Sequence, residues 1–160
     1  MFTNILLPTD GLKICDDALT GGIELAKALG AKVTGVHVTR KLTPQQILEA
    51  YHPEILWGPQ EAEKAQEAMA HLEELHKASA DKYLTTIQTR AEAAGVDCEV
   101  VYLTGESPLH GIMKVAEEKG CDLIYIASHS RSGIAGALLG TVTSKVLSHS
   151  TIPVLVHRCD

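Results

Sequence analysis

Two hydrophobic rhythms alternate along this chain. Short apolar runs at Ile5 to Pro8, Lys32 to Val38, Asp97 to Leu103, Leu123 to Ala127 and Pro153 to Val156 read as strands. Stretches with helical spacing lie between them. Asp16 to Leu29 places Ala18, Leu19, Ile23, Leu25, Ala26 and Leu29 on one stripe, and Gly30 is a natural stop. Ser107-Pro108 supplies an N-cap and first-turn pair for a helix through Lys119, which Gly120 ends. Val142 to Ser148 is the last helical stretch. Strands separated by helices predict right-handed crossovers and a parallel sheet.

Two regions depart from simple alternation. Arg40 to Pro59 holds Pro44, Pro53 and Pro59 with Tyr51 and Trp57, and reads as an inserted loop with a short helix at Gln45 to Ala50. Gln60 to Ala94 has no Gly or Pro and is rich in Ala, Glu, Gln and Lys. Unbroken, it forms a helix of about 50 Å, longer than a small sheet, so one end overhangs or bends. With no repeat or linker, residues 1–160 read as one domain.

Composition narrows the class. A hydrophobic fraction of 45% with only 4% aromatics points to an aliphatic core and an α/β layer fold. The net charge of −6 argues against a nucleic-acid or anionic-membrane surface. No apolar run is long enough to span a bilayer, and MFTNILLPTD reads as a first strand rather than a signal peptide, so a cytoplasmic location is expected. Cys15, Cys98, Cys121 and Cys159 have no metal spacing and read as packing thiols.

The candidate chemistry sits after two strands. Asp10 follows the first. A loop of small and polar residues follows the fourth and ends in Gly140-Thr141, where a helical pattern opens. A Gly-Thr pair opening a helix presents free amides and a positive dipole end to an anion. In a parallel sheet both positions lie at one edge, and they share a crevice if those strands are neighbours. Asp10 also suits a turn before Gly11, and Thr141 also suits a helix cap.

ILLPTDG at Ile5 to Gly11, VTGVHV at Val33 to Val38 and ASHSRSGIAGALLGTVTSKVLSHSTIPVLV at Ala127 to Val156 resemble the universal stress protein family over essentially the full length. The resemblance implies a Rossmann-like, adenine nucleotide alpha hydrolase-like α/β fold. It further implies an open five-stranded parallel sheet of order 3-2-1-4-5 with helices on both faces. It implies homodimers that pair their last strands, here Pro153 to Val156. ATP-binding members carry G-x-x-G-x9-G-[ST]. Gly140-Thr141 matches its second half, while Ala127 and Ser130 stand where the first two glycines would be, at the same spacing. By this resemblance Asp10 holds the base or ribose side, and Val38 and Ile126 border the adenine. Ala127, Ser130, Gly140, Thr141 and Val142 meet ribose and phosphates, with Pro8, Thr9, His129 and Arg131 completing the candidate set. An alanine at 127 costs little if only close approach matters, and on the order of 1 kcal/mol if a positive φ is needed.

Other chemistries lack their motifs. G-x-x-x-x-G-K-[ST], G-x-G-x-x-G after strand one and G-x-S-x-G are all missing. Ser128-His129-Ser130 has no orienting acid, and His71 and His76 are off the spacing of four that would share a metal. The expected function is binding of ATP or a related adenine nucleotide, with or without Mg²⁺, in a stress-response module with at most slow hydrolysis. The alternative is a nucleotide-independent homodimer with a degenerate site.

Overall fold

The computed structural model describes residues 1–9, 16–41, 43, 46, 58–129 and 139–159. Among these, strands and helices alternate as β1 (Asn4–Thr9), α1 (Asp16–Leu29), β2 (Lys32–Thr39), α2 (Pro59–Ala94), β3 (Cys98–Thr104), α3 (Pro108–Glu118), β4 (Leu123–His129), α4 (Thr141–His149) and β5 (Val154–Cys159). The sheet is parallel throughout, in the order β3-β2-β1-β4-β5. Asp10, Cys15, Tyr51, Trp57, Ser130, Arg131 and the short helix at 45–50 apart from Gln46 lie outside the described residues.

Strand alternation divides the core into two layers. Ile5, Leu7, Val33, Leu123 and Tyr125 face α1 and α2, where Leu19, Ile23, Leu84 and Ile87 meet them. Leu6, Val36, Ile124 and Ile126 face the other way, against Ile112, Val115 and Val146 of α3 and α4. Both faces of the central strands are covered, which explains their continuous apolar runs.

α2 overhangs as its length requires. Its second half buries Ala80, Leu84, Ile87 and Ala91 at helical spacing, whereas Ala65 alone is buried among the described side chains before Ala80. It stops at Gly95, whose φ of 74° is left-handed and whose amide bonds the Glu92 carbonyl at 2.9 Å. Ser107 caps α3 as expected, accepting the His110 N–H at 3.3 Å.

β4 and β5 run further than their apolar runs suggest. They pair from Ile124↔Val154 to His129↔Cys159, so Ser128, His129, His157 and Arg158 are strand residues rather than loop. Main-chain pairing with a neighbour carries them, not hydrophobicity. Cys98 and Cys121 are free thiols. Burial, followed by nearby Asp97, pushes the Cys98 thiol up to about 11, so it is no nucleophile at neutral pH. Cys159 corrects the expectation of packing thiols: it is disulfide-bonded. His71 and His76 are both exposed on α2. Among the described residues no helix is long and apolar enough to cross a membrane.

The N-terminal edge of the sheet is pinned by polar bonds. The Asp122 carboxylate accepts the Thr3 amide at 2.8 Å, the Thr3 hydroxyl at 2.7 Å and the Asn4 amide at 3.0 Å. Buried Asn4 donates to the Lys119 carbonyl at 2.9 Å and accepts the Thr34 hydroxyl at 3.0 Å. These bonds tie β1, β2 and the entry to β4 together. Burial acts to raise the Asp122 pKa, but donation by Asn4 and Thr3 outweighs it and holds the carboxyl below its ordinary value. A depressed folded-state pKa contributes stability that is present above the unfolded-state value and lost as pH falls through the folded one. Asp122→Asn is expected to cost about 1 kcal/mol at neutral pH, after discounting for solvent screening. It is also expected to flatten the loss of stability below about pH 4. Urea unfolding across that range checks both, and acid limbs of equal steepness would contradict the assignment.

Candidate functional site

The site begins with the direction of main-chain groups in β1. The Thr3 carbonyl accepts from Lys32 of β2 and the Asn4 carbonyl from Asp122 at the entry to β4, each at 3.0 Å. Successive residues of a strand bond opposite neighbours, so Leu6 and Pro8 face β4 while Ile5, Leu7 and Thr9 face β2. Pro8 therefore faces β4 at a position where it has no N–H to give. Pairing between β1 and β4 consists of Ile5↔Leu123 and Leu6↔Ile124 and then stops. On its other side β1 stays paired through Thr9↔His37. The register of the central pair ends short of its C-terminal end, at the point where the strand order reverses, which is where open α/β sheets bind ligands. Pro8, Thr9, Val38 and Ala127 are only half-buried there, whereas Ile126 is buried against α3 and α4.

The second wall is the start of α4. Its N-cap is Gly140, and Thr141 is the first helical residue rather than the cap. The helix ladder begins with Ser144 N–H to the Gly140 carbonyl at 2.9 Å, so the amides of Thr141, Val142 and Thr143 precede it. No side chain among the described residues caps this end, and no acidic residue stands in its first turn. Among the described residues nothing neutralises the dipole's positive end, which favours an anion. Gly140 has φ −55°, so its backbone does not require glycine. Among the described residues a Cβ there would meet Thr143 Oγ1 at 3.8 Å and Ser128 Oγ at 3.9 Å, which is ordinary contact.

Two bonds lash this helix end to β4. The Ser128 hydroxyl oxygen accepts the Gly140 N–H at 3.1 Å, and the Thr143 hydroxyl donates to the Ala127 carbonyl at 3.3 Å. Ser128 and Thr143 are both buried. Ser128 is therefore a fastener and not a nucleophile. Ala127 lies in extended β4, paired with His157, so alanine at this position carries no left-handed strain and adds only a methyl group. The backbone of His129 ends β4 two residues further along, opposite Cys159. Val142 is 38% exposed in the first turn of α4.

Val38 is held in place from behind. A Cβ on Gly111 of α3 would stand 2.6 Å and 2.8 Å from the two Val38 γ-carbons. The glycine lets α3 approach a stiff β-branched side chain at the rim of the crevice. Sequence reasoning missed Gly111, Thr143 and His37, and weighed Ser128 only as a nucleophile. A glycine within the α3 pattern was the one available signal, because glycine there costs about 1 kcal/mol relative to alanine.

An open, doubly wound α/β sheet with a crevice at its switch point defines the structural class. The universal stress protein family model matches residues 1–158, and the chain belongs to that family. It is 33% identical to universal stress protein YxiE of Bacillus subtilis, over 99% of this chain and 100% of the relative. The structure of MJ0577, from Methanocaldococcus jannaschii, matches with a TM-score of 0.70 at 26% identity, covering 100% of this chain and 98% of that one. A universal stress protein in complex with cAMP has a TM-score of 0.62 at 22% identity, covering 99% and 98%. An Arabidopsis thaliana family member with AMP bound has a TM-score of 0.62 at 17% identity, covering 99% and 92%.

Gly111→Ala is expected to destabilise the protein by about 1–3 kcal/mol through overpacking, despite alanine's better helix propensity. Thermal or urea unfolding reads this directly, and an unchanged or raised midpoint would contradict the close approach.

Proposed function

We propose that this protein binds ATP or a related adenine nucleotide in the crevice between β1 and β4, as a cytoplasmic stress-response module. The observation that carries the proposal is the pairing of β1 with β4, which ends at Leu6↔Ile124 beside a helix whose first-turn amides have no side-chain cap. Phosphate oxygens accept from the amides of Thr141 and Val142, which supply neutralisation without a basic side chain. Ala127 and Gly140 allow the sugar and phosphates close approach. Val38 and Ile126 border the base, and Pro8 and Thr9 form the floor. His129, and Asp10, Ser130 and Arg131 outside the described residues, complete the set by their place in the sequence. The cAMP and AMP bound to relatives of the same fold support an adenine nucleotide as the ligand class.

A second copy pairs with β5, the outer strand of the sheet, where Leu155 is 39% exposed. Such an uncovered edge is otherwise an aggregation hazard. Signalling then proceeds through occupancy rather than turnover.

Titration calorimetry with AMP and with ATP, in the presence and absence of Mg²⁺, tests the proposal. Saturable heat is expected at millimolar ligand or below. Gly140→Ala is expected to keep the fold, since among the described residues its Cβ meets nothing closer than 3.8 Å. Gly140→Val places a branched side chain beside the open amides and is expected to weaken binding at least tenfold, equivalent to about 1.4 kcal/mol. No heat with the unaltered protein would favour a nucleotide-independent dimer. Equal affinity in Gly140→Val would move the ligand elsewhere.

A further inference from the structure

His37 is a buried polar side chain that the nucleotide contacts do not use. It stands on β2 opposite Thr9 and is 5% exposed. Its Nδ1 lies 2.9 Å from the Thr9 carbonyl oxygen. A carbonyl only accepts, so Nδ1 carries the proton and donates. The ring is itself held. Tyr102 of β3 stacks on it with centroids 6.0 Å apart and planes inclined by 14°. The Tyr102 hydroxyl is in turn 2.9 Å from Thr39 Oγ1 at the end of β2. Three neighbouring strands thus converge on one main-chain oxygen.

That oxygen belongs to the last described residue of β1, at the rim of the crevice. On the β4 side, the strand loses its ladder at Pro8. The end of β1 is therefore fastened from the β2 side, and the His37 bond adds to the main-chain pairing there. Holding the Thr9 carbonyl fixes the orientation of the end of β1 at the rim. We propose that His37 is a positioning residue for the nucleotide: clamped by Tyr102, it holds the Thr9 carbonyl and so sets the end of β1 that forms the floor of the crevice. The inference rests on the nucleotide reading above and assigns His37 no contact with the ligand.

Two variants separate positioning from packing. His37→Asn puts an amide N–H where Nδ1 stood and keeps the donor. His37→Leu is similar in bulk and removes it. Affinity for AMP is measured by calorimetry, thermal midpoints are recorded alongside, and the tautomer of His37 is read by ¹⁵N NMR of the ring in the unaltered protein. The ring is expected to be protonated on Nδ1. His37→Leu is expected to lose about tenfold in affinity while His37→Asn stays within about threefold, the step corresponding to one hydrogen bond. Equal affinities in the unaltered protein and His37→Leu would overturn the proposal and leave nucleotide binding intact. So would losses in both variants that track their thermal midpoints, which would assign His37 to packing alone. An absence of binding by the unaltered protein would overturn the nucleotide reading and this proposal with it.

Discussion

The missing N–H of Pro8 is the constraint on which the site depends. A parallel sheet with both faces covered has little reason to open in its middle, because every unmade rung leaves main-chain groups to be satisfied elsewhere. Here the rung after Leu6↔Ile124 would need a donor at a residue that has none. A proline in a central strand normally argues against the strand. It is tolerated because it falls at the switch point of the sheet, past the last rung between β1 and β4. The far edge compensates. Asp122, Asn4 and Thr34 pin the strand entries together, so β1 is tied to β2 and to the entry of β4 at that end.

The start of α4 completes the arrangement through the absence of a side chain. Ser, Thr, Asp or Asn as N-cap would fold its oxygen back onto the first-turn amides and satisfy them internally. Gly140 cannot do so, although its backbone angles would accept other residues. The helix end is instead anchored through groups that leave those amides alone: Ser128 takes the Gly140 N–H, and Thr143 uses its hydroxyl on Ala127. The helix is fixed in place, and among the described residues no side chain occupies its first-turn amides.

Much of this was legible in the sequence. The alternation of apolar runs and helical stripes, Gly30 and Gly120 as stops, and Ser107 as a cap all follow from local rules, and they recover the parallel α/β order. Gly140-Thr141 stood out because glycine before a helical pattern after a buried strand is locally visible. Other features depend on register and were not visible. Ser128, His129, His157 and Arg158 are polar, yet they extend β4 and β5 because each strand has the other as a partner. Pro8 read simply as the end of a short strand, since the side it faces is known only once its neighbours are. Ser128 and Gly140, or His37 and Thr9, are distant in sequence, and no local pattern announces a bond between them.

The central claim is that the open first turn of α4 receives the phosphate of an adenine nucleotide. Amide ¹H–¹⁵N spectra recorded during titration with AMP test it most directly. The account predicts saturable shifts at Thr141, Val142 and Thr143 and at Thr9 across the crevice, with Asn4 at the pinned far edge unmoved. Saturable shifts that spare the first turn of α4, or spectra unchanged at millimolar AMP, would contradict it.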